Sequence, residues 1–159
     1  MVREAKASDA KEIASIYNYY VLNSTITFEE IKVDDKIILE RINTNLKYKW
    51  WVFEQDGIIF GYAYSKKWKS RSAYRYTVES SIYIIPEHQQ KGIGTTLYIQ
   101  LIEALKKEGF RSVLAGISLP NDKSISFHEK FGFKKVGQLE SVGFKFKRWI
   151  DVGYWELKI

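Results

Sequence analysis

The chain of 159 residues contains no cysteine. That excludes disulfides, zinc–thiolate sites and a cysteine acyl-enzyme, and it fits a reducing compartment. Long apolar runs are missing as well, and the N-terminus, Met1-Val2-Arg3-Glu4, is charged within its first four residues. Neither a signal peptide nor a membrane span is expected, so a cytoplasmic enzyme or binding module with no membrane partner is the default. Histidine is scarce, with only His88 and His128, and no metal site is expected. No block of like charges reaches the length of a tail, and no repeat or low-complexity segment is visible.

What is present supports a packed core: 45% of the residues are hydrophobic and 16% aromatic, which disfavours disorder. A chain of this length is expected to fold as one domain, residues 1–159, burying roughly 68–70% of its unfolded surface. The 25 basic and 19 acidic residues give a net charge of +6. Such a surplus suits an anionic ligand, whether nucleic acid, membrane surface or phosphorylated cofactor, and equally an ordinary solvated surface.

The most informative stretch runs from Tyr74 to Gly109. Tyr76, Val78, Ser80, Ile82 and Ile84 alternate with Thr77, Glu79, Ser81, Tyr83 and Ile85, the period of a strand with two distinct faces. Pro86, which lacks an N–H, ends the ladder. Gln89-Gln90-Lys91-Gly92-Ile93-Gly94-Thr95 follows, and then Ile93, Leu97, Leu101, Ile102 and Leu105 recur at helical spacing as far as Gly109. A strand feeding a helix through a glycine turn aims free N–H groups at one point, where the helix dipole favours a phosphate. Gly92 and Gly94 would let that phosphate approach the backbone. The turn is not a P-loop, which needs Gly-Lys-Ser/Thr, nor a dinucleotide fingerprint, whose third glycine would fall at Leu97. An ordinary tight turn remains the bland alternative.

Taken in order, residues 2–7 read as a first strand, and Ser8 or Asp9 caps a helix with Ile13, Ile16, Tyr17 and Tyr20 on one face. A second helix, starting near Asp34 or Asp35, is expected to bury Ile37, Ile38 and Ile42 and to reach toward Leu46. Strands 50–55 and 58–64 are joined at Asp56-Gly57, a hairpin signal, and a basic loop spans 66–75. After the central strand and helix, 112–117 reads as a buried strand, and Asn121 or Asp122 opens a helix that Gly132 closes. The segments 133–141 and 153–159 read as a terminal antiparallel pair with a long connection. The result is an α+β domain with a mostly antiparallel sheet, four helices and a right-handed parallel crossover from strand four to strand five.

The turn Gln89-Gln90-Lys91-Gly92-Ile93-Gly94 resembles the acetyl-CoA pyrophosphate loop of the GNAT superfamily of N-acetyltransferases. Asn121 through Phe133, with Glu129-Lys130 and Gly132-Phe133, resembles that family's second signature, except that His128 stands where many members carry Tyr. Trp68-Lys69-Ser70-Arg71-Ser72-Ala73-Tyr74, Thr77-Val78-Glu79-Ser80, Leu119-Pro120-Asn121-Asp122, Gly143-Phe144-Lys145 and Trp149 through Gly153 are similar to the phosphinothricin and methionine sulfoximine (sulfone) acetyltransferase branch. Ser24-Thr25-Ile26-Thr27-Phe28 fits as well, so the likeness covers nearly the whole chain.

The resemblance implies a sheet splayed between strands four and five, with acetyl-CoA as the co-substrate in the gap. Ile82, Tyr83 and Ile84 would offer backbone groups to the pantetheine arm like an added strand. The N–H groups of Gln90, Lys91, Gly92, Ile93, Gly94 and Thr95 would hold the pyrophosphate. Asn121 would bond the pantetheine, and Lys130 lies on the cofactor side by the same match. Plain sheet pairing and a solvated helix face are the competing readings. Phe28, Lys69, Arg71, Ser72, Ala73 and Tyr74 would contact the substrate, Arg71 offering a fork to carboxylate or tetrahedral oxygens, with Lys147 and Arg148 as further candidates. A homodimer is also implied.

Acetylating an α-amine requires a neutral nucleophile, and such an amine, with a pKa near ~8, is largely protonated at neutral pH. Glu79, a carboxylate placed mid-strand where charge is depleted, is the candidate base; the alternative is an exposed glutamate paired with Arg71 or Arg75. His128 is the candidate for protonating the thiolate or assisting the base, and the alternative there is a core histidine bonded to a carbonyl. His88 reads as a solvated turn residue. A different amine (polyamine, aminoglycoside or protein N-terminus) is the rival substrate. A non-enzymatic nucleic-acid binder is the rival class, because Lys47-Tyr48-Lys49-Trp50-Trp51 interleaves basic and aromatic residues. The glycine turn and the Asn121 segment have no task in that reading, so no nucleic-acid partner is expected.

Overall fold

The computed structural model describes residues 1–44 and 46–159. The elements follow the order β1 (Val2–Glu4), α1 (Ala10–Asn23), α2 (Asp35–Asn43), β2 (Trp50–Gln55), β3 (Ile58–Lys67), β4 (Thr77–Ile84), α3 (Ile93–Lys107), β5 (Ser112–Ser118), α4 (Asp122–Lys130), β6 (Lys134–Lys145) and β7 (Arg148–Lys158). Seven strands form one sheet in the order β1-β2-β3-β4-β5-β7-β6, and only β4 and β5 run parallel. Among the antiparallel pairs, β2–β3 and β6–β7 are tight hairpins, whereas α1 and α2 lie between β1 and β2 and the parallel β4–β5 step needs α3 as its crossover.

Hydrophobic periodicity sets the layers. Ile13, Tyr17, Tyr20 and Ile38 of the first two helices pack with Trp50, Val52, Tyr62, Tyr64 and Tyr83 on one face of the sheet. Leu97, Tyr98, Leu101 and Leu105 pack with Ala63, Val78, Val113 and Ala115 on the other. The alternation along β4 is therefore real: Val78, Ile82 and Ile84 face α3, and Tyr83 faces α1. Trp50 stacks on Tyr62 and Tyr64, Tyr48 stacks on Phe110, and Lys49 pairs with Glu108 at 3.1 Å. The basic–aromatic run at 47–51 thus spends its rings on the core rather than on a base-stacking surface.

Several expectations need correction. β1 stops at Glu4, because the Asp9 carboxylate accepts the Lys6 N–H at 2.7 Å and the Arg3 guanidinium, which closes the 7–9 turn in place of a longer strand. Asp34 caps α2 by accepting the Ile37 N–H at 2.9 Å; that short helix buries Ile38 and packs half-buried Ile42 against the same core, but Ile37 is 38% exposed and Leu46, beyond the helix, 82%. The terminal strands are longer than their alternation implied, and a two-residue turn at Phe146 and Lys147, both with positive φ (51° and 60°), replaces the long connection. A register shift between Leu139 and Gly143, together with Ser141 at φ 49°, breaks the period-2 pattern there and hides the strand.

Candidate active site

The β4–β5 ladder is short. Thr77 pairs with Ser112, Val78 with Val113 and Glu79 with Leu114, and no register continues beyond that point. β4 itself runs on to Ile84 and β5 to Ser118, so the two strands fork immediately after Glu79. β5 stays with β7 through Ser118↔Val152, while β4 stays with β3 through Ile84. The side of β4 facing the fork therefore has no strand partner from Ser80 onward, the condition for an extended ligand to add as a strand.

At the far end of β4 the chain passes Pro86 and enters the glycine bend. Gln90 adopts φ 63° and Gly92 φ 80°, both left-handed, and Gly92 is the N-cap of α3. The first intrahelical bond is Thr96 N–H to Gly92 O at 3.1 Å, so the N–H groups of Ile93, Gly94 and Thr95 have no acceptor within the helix. Two left-handed residues beside a helix start turn successive amides toward one side, making an anion seat. Gly94 is closely packed: a Cβ there would lie 3.1 Å from Ile84 Cδ1 and 3.3 Å from Phe127 Cε2, so both side chains would have to shift by a few tenths of an ångström.

Three cavities lie between this bend and the fork, neighbouring ones sharing lining residues. A groove of about 1050 Å³ is lined by Gln90, Gly92, Gly94, Thr95 and Lys130 among others. It shares Ile84, Gln89, Lys123 and Phe127 with a middle cavity of about 190 Å³ that also touches Ile82 and Asn121. The middle cavity in turn shares Ile26 with a third, of about 330 Å³, whose lining includes Phe28, Lys66, Glu79, Ser81, Tyr83 and Tyr154. Within the middle cavity the Asn121 side chain caps α4 by accepting the Ser124 N–H at 3.2 Å, leaving its amide nitrogen for a ligand. The Ile84 carbonyl accepts the Tyr20 hydroxyl, which itself accepts from Gln89 Nε2 at 3.0 Å.

Around Glu79 the surroundings are polar with an aromatic floor. Lys66 Nζ approaches Glu79 Oε1 at 3.6 Å. Gly116 stands opposite on β5: a Cβ there would be 3.4 Å from the Tyr154 ring and 3.6 Å from Glu79 Oε1, so any larger side chain would enter the space beside the carboxylate. Tyr17 Oη and Thr27 Oγ1 are 2.6 Å apart at the rim. Burial pushes the phenols of Tyr17 and Tyr83 up, Tyr83 well above its ordinary value, so both stay neutral hydrogen-bonding groups at physiological pH.

The structure thus brings Glu79, Tyr83 and Phe28 to one cavity, and Ile82, Ile84 and Asn121 to the next. Gln90, Gly92, Gly94, Thr95 and Lys130 line the third, while Lys91 lies on the exposed bend and Ile93 is a buried core residue at the start of α3. Other residues lie apart. His128 is 4% exposed, its Nδ1 sits 2.7 Å from the Ser124 carbonyl, and its ring meets Tyr98, Phe127 and Phe133 edge-on. Burial lowers its pKa, the Ser124 bond partly opposing the shift, and Nε2 is buried without a partner. It lines none of the three cavities. Lys69 covers the Trp68 ring at 4.5 Å, and Arg71, Ser72 and Ala73 are exposed on the short turn that ends at half-buried Tyr74; these, with Lys147 and Arg148, also lie outside the Glu79 cavity. The cation that does reach it is Lys66, which alternation alone does not single out because β3 runs past Tyr64 into the basic segment, to Lys67.

Comparison with known proteins identifies the family. Residues 2–153 match the acetyltransferase (GNAT) domain. The chain is 40% identical to a phosphinothricin N-acetyltransferase of Streptomyces viridochromogenes, over 98% of this chain and 85% of that protein. It is 34% identical to an L-methionine sulfoximine/L-methionine sulfone acetyltransferase of Salmonella typhimurium, over 99% of this chain and 94% of that one. A phosphinothricin acetyltransferase from Sinorhizobium meliloti, solved in complex with acetyl-CoA, superimposes with a TM-score of 0.95 at 34% identity, covering 100% of this chain and 88% of the other. Among the described residues no cluster of His, Asp and Glu could hold a metal, and no helix is long and apolar enough to cross a membrane. Fork, bend and matches lead to one assignment: this chain belongs to the GNAT family of N-acetyltransferases.

Proposed function

We propose that the protein transfers an acetyl group from acetyl-CoA to the α-amino group of a small amino-acid analogue such as phosphinothricin or methionine sulfoximine or sulfone. The observation that carries the reading is the line of three cavities between the Gly92 bend and Glu79. Along it, the amides of residues 90–95 hold the pyrophosphate, the open side of β4 and Asn121 accept the pantetheine, and Lys130 adds positive charge beside the groove. Acetyl-CoA supplies the activated acetyl group. Glu79, directly or through one water, takes the proton from the attacking amine as the new N–C bond forms and the C–S bond breaks. In this reading transfer is direct from thioester to amine, and the lack of cysteine excludes a cysteine acyl-enzyme.

Selectivity follows from the charges beside the reacting amine. The Glu79 cavity holds one carboxylate and one cation, Lys66, 3.6 Å apart. That pair complements a zwitterion better than a polycation, because the substrate's ammonium and carboxylate groups can replace the two partners. Lys66 thus takes the place in the cavity that the resemblance gave to Arg71. The buried His128 ring serves the packing of α4 in this reading, and the proton for the departing thiolate comes from solvent. The exposed row Val136, Leu139, Val142 and Phe144 on edge strand β6 supports pairing with a second copy of the chain, which would cover an edge otherwise open to water.

The test is a thiol-release screen with acetyl-CoA and methionine sulfoximine, methionine sulfone and phosphinothricin against spermine, an aminoglycoside and an alanine-terminated peptide. Turnover is expected with the first group. Faster turnover of spermine than of methionine sulfoximine would overturn the substrate class.

A further inference from the structure

Lys145 is the one buried lysine among the described residues, 1% exposed, although residues 134–142 of its strand β6 are all exposed. Its Nζ donates to the Thr27 carbonyl at 2.8 Å, a partner 118 residues earlier in the chain. On its other side Thr27 is held through its hydroxyl by Tyr17, at 2.6 Å. Desolvation lowers the Lys145 pKa, with Glu30 and Glu29 opposing the shift. An apolar side chain would be cheaper to bury than a cation but would leave the Thr27 carbonyl without its donor, so the task of the lysine is to hold that carbonyl.

The neighbours of Thr27 suggest the reason. Ile26 and Phe28 both line the Glu79 cavity, and Ile26 also lines the middle one. The Phe28 ring lies against Gly143, where a Cβ would sit 2.3 Å from Cε2. β6 therefore fastens this segment at two points, a hydrogen bond to Thr27 and a glycine seat for Phe28.

We propose that Lys145 is a positioning residue that acts through the Thr27 carbonyl to fix Ile26 and Phe28 as the wall where the amine cavity meets the middle cavity, and so sets amine affinity. The proposal rests on the reading of that cavity as the amine site. Lys145→Met keeps the stem and removes the donor; Lys145→Arg keeps charge and donors. Both are compared with the wild type by thiol release at saturating acetyl-CoA and varied methionine sulfoximine, and by hydrogen exchange of the free proteins.

K145M is expected to fold and to raise the amine KM about 10-fold, the scale of one lost charged hydrogen bond. Its kcat and acetyl-CoA KM should stay within about 2-fold of wild type, with faster exchange confined to residues 24–31. K145R should recover most of the amine KM. An unchanged amine KM, an acetyl-CoA KM that rises in step, or a K145M chain that unfolds or exchanges faster across the whole sheet would each overturn the proposal. If wild-type protein turns over no amine at all, the proposed function fails, and the exchange comparison alone then decides whether Lys145 fastens the segment.

Discussion

Replacing Glu79 by Gln separates the chemistry at the fork from everything else the site does. The side chain keeps its size, and its backbone pairing with Lys66 and Leu114 is untouched. Only the proton acceptor and the attraction to Lys66 are lost. That ion pair involves a lysine side chain that is 53% exposed, so its loss costs no more than about 1 kcal/mol of stability. The chemical loss is larger: removing a positioned general base costs ~10²–10⁴ in rate, or about 2.7–5.4 kcal/mol at 1.36 kcal/mol per decade. Turnover of methionine sulfoximine by thiol release should fall by that factor, while calorimetric affinity for acetyl-CoA stays unchanged because the bend lies at the other end of the cavities. Turnover equal to wild type would refute the base assignment.

Other consequences can be checked separately. In Gly92→Trp the Cβ itself meets no atom within 4 Å in the free protein. The cost comes from φ 80°, about 1–2 kcal/mol for an L-residue, and from a side chain standing in the phosphate seat. Acetyl-CoA affinity should drop at least ~10-fold by calorimetry, with a fall in Tm of only a few degrees. His128→Phe should keep kcat within about 3-fold, because the imidazole is buried away from the cavities; a ~10²-fold loss would restore His128 to the proton-transfer role. The same variant reports on pH. Burial holds the folded His128 pKa below its ordinary value, so the unfolded chain binds the proton first, and wild-type stability should fall as pH drops below about 6.5. H128F should show a flatter Tm profile between pH 7.5 and 5; an identical slope would contradict the assignment.

Much of this layout could be read before any coordinates existed, for identifiable reasons. β4 shows two faces in its alternation because one side meets α3 and the other α1. The glycine bend announces itself because a left-handed N-cap at Gly92 requires a glycine or a strained residue. The misses also have causes. Lys66 was out of sight because its place beside Glu79 depends on the Lys66↔Glu79 register between β3 and β4, which no single-strand pattern encodes. Lys145 reaches Thr27 across 118 residues, a contact set by the whole topology. His128 shares a helix face with Ser124 as its spacing suggests, but the aromatic box of Tyr98, Phe127 and Phe133 forms only when α3 and α4 pack together. The basic residues around Arg71 were conspicuous as a cluster, and clustering says nothing of which side of a turn faces a cavity.

The most direct measurement is a crystal structure of this protein grown with acetyl-CoA and methionine sulfoximine. The diphosphate should lie within hydrogen-bonding distance of the amides of residues 90–95. The pantetheine should run along the open side of β4 past Asn121, and the substrate nitrogen should sit within one hydrogen bond, or one bridging water, of Glu79. Density for the coenzyme elsewhere, an empty bend at Gly92, or a Glu79 carboxylate turned out of the cavity would contradict the assignment.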